Sequence, residues 1–280
     1  MKITIAGGDL RMLTVGSLLA EQGYVCHGFG FGDRIKDFPN IAPKPPSEAL
    51  KDTSAVILPL PCERDGFLNT PFSTSRILLD DVFSSAEEGA LFIGGRLPIG
   101  GSRFVDYSER EDFKIKNAVP TSEGAIALAM KELDVTLYGA KAVVVGYGRI
   151  GKYLSSALRD LGASVTVIAR SPESRAYAES NRIEAVGFES TKIALSKADV
   201  VFNTVPTIVI GERELSVMKS NGIIIDLASL PGGVDESAAR NYGINFLRAL
   251  SLPGKVAPTT AGNIVFETVY SILLEKGVTV

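Results

Sequence analysis

The chain has few of the side chains on which metal centres and disulfide frameworks depend. Its 280 residues include one histidine, His27, and two cysteines, Cys26 and Cys62. The cysteines lack metal-ligand spacing, which indicates a reducing compartment and predicts no metal site. His27 stands next to Cys26 in a predicted strand, and we interpret it as a structural residue.

Two further absences limit the class of protein. The net charge is −3 with both signs mixed, so no basic surface for nucleic acid is expected. No stretch approaches the ~18 apolar residues that span a bilayer. The first residues begin a strand, so we expect neither a signal peptide nor a membrane anchor. With 45% hydrophobic residues the chain can bury two modest cores, and we expect a cytoplasmic α/β protein of one or two domains.

The most informative motif lies in residues 141–175. The apolar run 142–145 is typical of a strand buried on both faces. It ends at Gly146-Tyr147-Gly148-Arg149-Ile150-Gly151, which fits G-x-G-x-x-G. The first glycine permits a tight turn, the second lets the backbone approach a pyrophosphate, and the third lets helix and strand pack closely.

A helix and a second strand follow this turn, as a dinucleotide site requires. The predicted helix ends at Gly162 and carries on one face Ile150, Leu154, Leu158 and Leu161. Its N-terminus offers free N–H groups to phosphates. Residues 165–168 form the second strand, so the whole βαβ unit predicts dinucleotide binding.

The residues after the second strand favour NADP over NAD, although NAD remains open. An NAD-selective site usually has Asp or Glu there to bind the ribose 2′-hydroxyl. This chain has instead Ala169-Arg170-Ser171 and, one turn later, Arg175. The planar guanidinium group of arginine pairs bidentately with phosphate oxygens.

The remaining elements are predicted from apolar runs and from breaks at glycine and proline. Strands are expected at residues 3–6, 24–29, 55–58, 90–93, 200–203, 223–226 and 244–246. Residues 37–47 and 62–76 are expected to be irregular, and Pro120 is expected to precede a linking helix that ends near Leu137. A last helix is expected at residues 261–276.

These elements predict two Rossmann-like domains with parallel sheets, in an arrangement like that of hydroxyacid dehydrogenases. The first domain comprises residues 1–122 plus 262–280, and the NADP-binding domain comprises residues 123–261 with the linking helix. The first turn, Gly7-Gly8-Asp9, does not complete the fingerprint, and its acid would repel a pyrophosphate. We therefore expect the first domain to have the architecture without the nucleotide site.

Ligands of open parallel sheets bind outside the carboxyl ends of the strands. This rule predicts a cleft between the domains. One wall would contain Gly8, Asp9, Arg11, residues 59–61 and Arg96. The other would contain residues 121–123, 204–207, 228–233 and 258–263. The cofactor is expected to contact Thr204, Val205, Pro206 and Ala228.

The arrangement resembles that of the D-2-hydroxyacid dehydrogenases, but two functional groups of that family are missing. Its arginine after the strand at 223–226 is replaced by Leu227-Ala228-Ser229. Its Pro-His-x-x-Gly turn is replaced by Pro258-Thr259-Thr260-Ala261-Gly262. Hydroxyacid oxidation by that mechanism is therefore not expected.

A second resemblance covers nearly the whole chain. The sequence is similar to the family of dipicolinate synthase A subunits in Gly7-Gly8-Asp9-x-Arg11, Pro120-Thr121-x-Glu123-Gly124, Gly146-x-Gly148-Arg149-x-Gly151, Ala169-Arg170-Ser171, Asn203-Thr204-x-Pro206, Asp226-Leu227-Ala228-Ser229-x-Pro231-Gly232-Gly233 and Leu252-Pro253-Gly254-x-Val256-Ala257-Pro258-x-Thr260-Ala261-Gly262. The sequence departs from this family at Leu230, where the resemblance leads us to expect a basic residue.

The resemblance implies a step in the making of dipicolinic acid for bacterial spores, in the cytoplasm of the mother cell. A cyclic 4-hydroxy-tetrahydrodipicolinate from the lysine pathway would lose water and a hydride. The partner would be the flavoprotein-like B subunit of the synthase. The sequence leaves open whether the B subunit is required, and whether the chain forms a homo-oligomer.

Such a substrate carries two carboxylates, so cations and N–H donors are expected around it. Arg11 and Arg96 are the expected cations, and Gly232 and Gly233 the expected backbone donors. The other residues expected near the substrate are Gly8, Asp9, Ser122, Thr259 and Thr260. Candidates for acid–base or hydrogen-bonding roles in catalysis are Glu123, Ser229 and Lys255, and Glu123 is equally well explained as a first-turn acid of its helix.

Two other kinds of function stay open at this point. One is a non-catalytic, NADP-binding regulatory subunit. The other is a different oxidoreductase, similar to alanine dehydrogenase or to methylene-tetrahydrofolate dehydrogenase.

Overall fold

The computed structural model describes all residues from 1 to 280, and they form two compact units. The first comprises Met1–Asn117 and Ala257–Val280, and the second comprises Ala118–Val256. Both crossings lie a few residues before the predicted boundaries at 122 and 261. The helices at the crossings begin earlier than predicted, at Glu111 and Pro258.

The strands are Lys2–Ala6 (β1), Val25–Phe29 (β2), Ile41–Pro43 (β3), Ala55–Ile57 (β4), Glu63–Arg64 (β5), Phe67–Leu68 (β6), Leu91–Gly94 (β7), Phe104–Asp106 (β8), Lys141–Val145 (β9), Ser164–Ile168 (β10), Glu184–Val186 (β11), Val200–Asn203 (β12), Ile223–Asp226 (β13) and Asn245–Arg248 (β14).

The α-helices are Leu10–Glu21 (α1), Pro46–Ala49 (α2), Leu79–Ser85 (α3), Glu111–Glu132 (α4), Arg149–Asp160 (α5), Pro172–Ser180 (α6), Thr191–Lys197 (α7), Glu212–Leu215 (α8), Glu236–Asn241 (α9), Leu252–Val256 (α10) and Pro258–Glu275 (α11). Short 3-10 helices are Gly32–Asp37, Tyr107–Glu109 and Phe188–Ser190. None of the helices combines the length and the apolar character that a segment crossing a bilayer needs.

The first unit is built on a six-stranded parallel sheet in the order β3-β2-β1-β4-β7-β8. Successive side chains of its central strands enter different cores, because neighbouring residues of a strand point to opposite faces. Ile57 belongs to the core that includes residues of α1 and α11, and Val56 belongs to the core on α3. Helix α11 packs closely on α1, since a Cβ at Gly262 would lie 2.6 Å from the Cβ of Thr14.

The second unit repeats this topology with a six-stranded parallel sheet in the order β11-β10-β9-β12-β13-β14. Val144 and Val143 of its first strand face different cores, one lined by α5 and the other by α7 and α9. The predicted fold class, two Rossmann-like α/β units with parallel sheets, is confirmed.

Several predicted elements are corrected by the structure. Helix α4 starts at Glu111 and contains Pro120 in its interior, although proline was expected to precede the helix. Helix α5 buries Leu154 and Leu158, but Leu161 is 43% exposed. The helix has already ended at Asp160, so Leu161 no longer follows the periodicity of the buried face.

Other differences are elements that the sequence did not reveal. The segment 37–47 contains β3, and Pro43 is tolerated because β3 is the edge strand of its sheet. The segment 62–76 contains the antiparallel pair of β5 and β6. Strand β8 and helix α3 were not predicted, and β14 lies one to two residues later than expected.

Candidate functional site

The three glycines after β9 differ in the space around them. A Cβ at Gly146, whose φ is +95°, would meet the Oγ1 atom of Thr204 at 2.4 Å. A Cβ at Gly151 would lie 2.2 Å from the carbonyl oxygen of Gly146, so helix and turn are in close contact there. A Cβ at Gly148 would meet nothing within 4 Å. The open space therefore lies at the middle glycine, where a pyrophosphate would approach.

Gly148 is also the N-cap of α5, and no side chain caps this helix. The first N–H groups of the helix therefore have no side-chain acceptor, and with the helix dipole they favour an anion. Arg149 is exposed, and Ile150 is partly buried. The ring of Tyr147 is buried against Tyr177 of α6, with 6.2 Å between the ring centroids.

The turn after β10 contains a cation without a partner. Arg170 is exposed, and its side chain forms no hydrogen bond or ion pair. Nη1 of Arg175 donates to the carbonyl oxygens of Ala169 and Arg170, at 3.0 and 2.9 Å. The hydroxyl of Ser171 accepts from the N–H of Ser174 and so caps α6. Arg175 and Ser171 thus fix the turn that displays the Arg170 guanidinium.

These observations fit a dinucleotide phosphate. The structure provides an open glycine turn, an uncapped helix N-terminus and a free guanidinium at the end of the next strand. No group of three or more His, Cys, Asp or Glu side chains comes together as a metal site would require.

The loop after β12 lies against the glycine turn. The hydroxyl of Thr204 donates to the carbonyl oxygen of Val145 at 2.9 Å. Val205 is the other residue that a Cβ at Gly146 would meet, while Pro206 is exposed. The predicted cofactor residues 204 and 205 therefore contact the turn itself.

A buried polar cluster that the sequence did not reveal lies after β13. The Asp226 carboxylate is wholly buried and accepts from Nδ2 of Asn203 at 2.8 Å. Nη1 of Arg248 lies 3.3 Å from Oδ2 of the same carboxylate. Asp226 and Arg248 are paired residues on adjacent strands. An acid and an arginine at the ends of two consecutive strands were the available sequence signal.

This cluster corrects the expected role of the two glycines. The N–H of Gly232 donates to the carbonyl oxygen of Ser229 at 2.8 Å, and the N–H of Gly233 donates to Oδ2 of Asp226 at 3.2 Å. Both donors are therefore used inside the chain rather than left for a substrate. Ala228 is buried, and its N–H donates to Oδ1 of Asp226 at 3.1 Å.

In the first unit, the turn after β1 is filled by the chain itself. The N–H of Gly8 donates to the carbonyl oxygen of Asn69 at 2.8 Å. A Cβ at Gly7 would lie 2.9 Å from that oxygen, and a Cβ at Gly8 would lie 2.9 Å from Cβ of Pro59. The open space found at Gly148 therefore has no counterpart in this turn.

Arg11 is buried and held by Asp9. Nε lies 2.9 Å from Oδ1 of Asp9, and Nη2 lies 2.9 Å from Oδ2, so the pair is bidentate. Nη2 also donates to the carbonyl oxygen of Leu60 at 3.2 Å, while Nη1 forms no hydrogen bond in the chain. Burial disfavours the charge, but the hydrogen bonds and the charge of Asp9 outweigh it and raise the pKa of Arg11.

Two further side chains near this pair were not predicted from the sequence. Tyr107 is completely buried, its hydroxyl has no hydrogen-bond partner, and burial raises its pKa. The Cys62 thiol donates to the carbonyl oxygen of Arg96 at 3.2 Å, and burial raises its pKa to about 12. Arg96 has a φ of 57° and an exposed side chain without a partner.

The remaining predicted residues occupy different surroundings. Ser122 is completely buried in α4, and its Oγ atom has no hydrogen-bond partner. Glu123, Ser229 and Lys255 are exposed, and their side chains form no hydrogen bond or ion pair. Thr259 and Thr260 are exposed in the first turn of α11, which no side chain caps.

Comparison with known proteins now assigns both units. Residues 2–111 match the family described as the N-terminal domain of the dipicolinate synthase A subunit. Residues 116–238 match the D-isomer specific 2-hydroxyacid dehydrogenase, NAD binding domain. The second unit is therefore a nicotinamide-dinucleotide-binding domain of the dehydrogenase type.

The relatives match nearly the whole chain. The dipicolinate synthase A subunit of Bacillus subtilis (strain 168) is 31% identical, over 98% of this chain and 96% of the relative. The crystal structure of the dipicolinate synthase A chain from Bacillus subtilis has a TM-score of 0.86 at 31% identity, covering 98% of this chain and 96% of that one. That of the dipicolinate synthase A subunit from Bacillus halodurans has a TM-score of 0.89 at 30% identity, covering 97% of both chains. The resemblance inferred from the sequence motifs is confirmed, and the chain belongs to the family of dipicolinate synthase A subunits.

Proposed function

We propose that this protein converts a cyclic 4-hydroxy-tetrahydrodipicolinate to dipicolinate with NADP as the oxidant. The ring loses one water, then transfers a hydride to NADP and releases a proton. The products are dipicolinate, NADPH, water and a proton. Aromatisation of the ring drives the reaction.

The observation that carries the proposal is the match over 98% of the chain to a relative named as the A subunit of dipicolinate synthase. The open space at Gly148 agrees with it, because the proposed hydride acceptor is a bound dinucleotide. The name of the relatives also implies a second subunit. We therefore include the flavoprotein-like B subunit in the proposal, with the mother cell of a sporulating bacterium as the place.

NADP, when bound, supplies the hydride acceptor. Gly148 and the N-terminus of α5 would hold its pyrophosphate. Arg170 would pair with the 2′-phosphate, which Arg suits through its planar donors. Ser171 and Arg175 would keep that turn in place, while Thr204 and Val205 would border the cofactor next to the glycine turn.

The substrate is a dianion, so its carboxylates need donors and positive charge. In the first unit, Asp9 engages Nε and Nη2 of Arg11 and leaves Nη1 for a carboxylate. Arg96 offers a second guanidinium that is free of partners. We assign these two arginines to substrate anchoring.

The only histidine of the chain is His27, which we interpret as a structural residue. The proton transfers therefore need other groups. Loss of water before aromatisation needs only modest acid–base assistance, for which Glu123 and Lys255 are the titratable candidates. Ser122, Ser229, Thr259 and Thr260 are the hydroxyl groups proposed to bind substrate or water.

The test is an assay of the purified chain with the cyclic precursor and NADP, with and without the B subunit. NADPH absorbance and dipicolinate are measured together, and the expected result is equal amounts of both products. Dipicolinate formation only in the presence of the partner would assign turnover to the complex. Absence of both products in both conditions, with and without the B subunit, would contradict the proposal and favour a regulatory NADP-binding role.

A matched control separates a failure of the cofactor site from a failure of the chemistry. Gly148→Ala should lower activity at limiting NADP by at least about tenfold, because its methyl group fills the space of the pyrophosphate. Lys192→Ala, an exposed residue on α7 without a partner, should leave activity unchanged.

A further inference from the structure

The loop 227–233, between β13 and the segment that leads to α9, is closed on one buried carboxylate. Oδ1 of Asp226 accepts from the N–H of Ala228 at 3.1 Å, and Oδ2 accepts from the N–H of Gly233 at 3.2 Å. One side chain thus binds the beginning and the end of the loop. Within the loop, the N–H of Gly232 donates to the carbonyl oxygen of Ser229 at 2.8 Å.

Arg248 holds the same loop from the neighbouring strand. Its Nη1 atom lies 3.3 Å from Oδ2 of Asp226 and donates to the carbonyl oxygen of Pro231 at 3.1 Å. Its Nη2 atom donates to Oε2 of Glu236 in α9 at 3.3 Å. A single guanidinium therefore joins the carboxylate, the loop backbone and the helix that follows.

The contact leaves no room for a side chain at Gly232. A Cβ there would lie 2.2 Å from Nη1 of Arg248 and 2.6 Å from Oδ2 of Asp226, and its φ is +92°. A Cβ at Gly233 would lie 2.2 Å from the carbonyl oxygen of Val205. The two glycines are required because the loop backbone passes directly over the ion pair and the preceding loop.

Fold stability alone does not account for this cluster. Well-packed apolar residues can replace a buried ion pair without loss of stability, whereas such a pair can fix one specific conformation. The conformation fixed here is that of a loop at the carboxyl end of a strand. In sheets of this strand order the dinucleotide lies across the point where the order reverses, and β12 and β13 lie on the side opposite β10.

We propose that Asp226 and Arg248 are positioning residues that set the loop 227–233 around the nicotinamide half of the cofactor. The inference rests on the proposed NADP-dependent function. It assigns the pyrophosphate to the turn after β9 and the adenosine 2′-phosphate to the turn after β10, and Arg248 touches neither turn. Changing Arg248 should therefore affect the two halves of NADP differently.

The experiment compares binding of NADP with binding of 2′-phospho-ADP-ribose, which lacks the nicotinamide, in wild type, Arg248→Ala, Arg248→Lys and Arg240→Ala. Arg240 is a matched control, because it binds the other oxygen of Glu236 at 2.7 Å but is 72% exposed. Calorimetry gives both dissociation constants, and circular dichroism checks folding.

We expect Arg248→Ala to bind the fragment within about twofold of wild type and to lose about tenfold in NADP affinity, with kcat reduced by at least the same factor. Lysine keeps the positive charge but lacks the planar fork of donors, so Arg248→Lys should recover part of both losses. Arg240→Ala should behave as wild type.

In the opposite case, Arg248→Ala weakens the binding of both ligands equally, with a thermal midpoint that falls in proportion. This result would overturn the inference, because it is expected of a purely structural residue. An unchanged ratio of the two dissociation constants in a folded variant would also overturn it. If Arg248→Ala does not fold, the same criteria apply to Arg248→Lys. Because the binding ratio needs no turnover, an inactive wild type would contradict the proposed reaction without deciding this inference.

Discussion

Arg175 donates a hydrogen bond from Nη1 to the backbone carbonyl oxygen of Arg170, 2.9 Å away. One arginine thereby fixes the backbone of another whose own guanidinium has no partner. The two therefore have different roles at the end of β10. Arg170 is the proposed phosphate ligand, and Arg175 keeps it in position.

The first prediction concerns cofactor choice at this turn. NADP should bind more tightly than NAD, and Arg170→Asp should reverse the order. Hydrogen bonds to a charged group contribute about 1.5–3 kcal/mol, so Arg170→Ala should weaken NADP by about 10- to 150-fold and leave NAD nearly unchanged. Titration of both nucleotides measures this, and NAD preferred by the unmutated protein would contradict it.

The second prediction uses two glycines with opposite surroundings. Gly148→Ala should lower the thermal midpoint only slightly, because its φ is −81° and the added methyl group meets nothing, although alanine is a poorer N-cap than glycine. It should still weaken NADP at least about tenfold by filling the phosphate space. Gly151→Ala should instead destabilise the fold by about 1–3 kcal/mol, because the methyl group would meet a backbone oxygen.

Thermal unfolding and NADP titration of both variants distinguish these effects. A Gly148→Ala variant that binds NADP normally would mean that the phosphates lie elsewhere.

Sequence-based prediction was most reliable where chemistry and periodicity coincide. Strands β12 and β13 were predicted with their observed bounds, because strands buried on both faces form continuous apolar runs. The G-x-G-x-x-G turn was also predictable, because its glycines serve a tight turn, the close approach of a pyrophosphate, and the packing of helix on strand.

Features that depend on tertiary packing were not predictable in this way. Pro120 was expected to precede a helix, but it lies in the interior of α4, which runs from Glu111 to Glu132. The role of Arg248 depends on its pairing with Asp226 on the neighbouring strand, and the presence of an acid and an arginine near two strand ends does not by itself show that they pair. Gly232 and Gly233 were assigned to a substrate because the acceptors of their N–H groups are visible only in the folded chain.

The third prediction concerns substrate anchoring. Arg11→Ala should weaken binding of the cyclic precursor by about 2–5 kcal/mol, the range for losing one partner of a buried charge pair. Arg96→Ala should weaken it less, because Arg96 is exposed. NADP affinity should stay nearly unchanged in both. An unaltered KM for the precursor in both variants would show that these arginines do not bind it.

The last prediction compares two buried tyrosines of the first unit. The Tyr24 hydroxyl donates to the carbonyl oxygen of Val278 at 2.6 Å, whereas the Tyr107 hydroxyl is buried without a partner. Both rings are packed, that of Tyr107 against Phe113 with 5.3 Å between centroids. Replacement by phenylalanine keeps each ring and removes only the hydroxyl, so the two substitutions isolate the hydrogen bond.

A buried polar group without a partner costs about 1–3 kcal/mol, and a satisfied hydrogen bond contributes about 0.5–1.5 kcal/mol. Tyr107→Phe should therefore raise the free energy of unfolding, while Tyr24→Phe should lower it. Thermal and denaturant unfolding of the two variants gives the signs. If Tyr107→Phe destabilises the protein as Tyr24→Phe does, the Tyr107 hydroxyl has a hydrogen-bond partner in solution, and the neighbourhood of Arg11 is more polar than the packing of the first unit indicates.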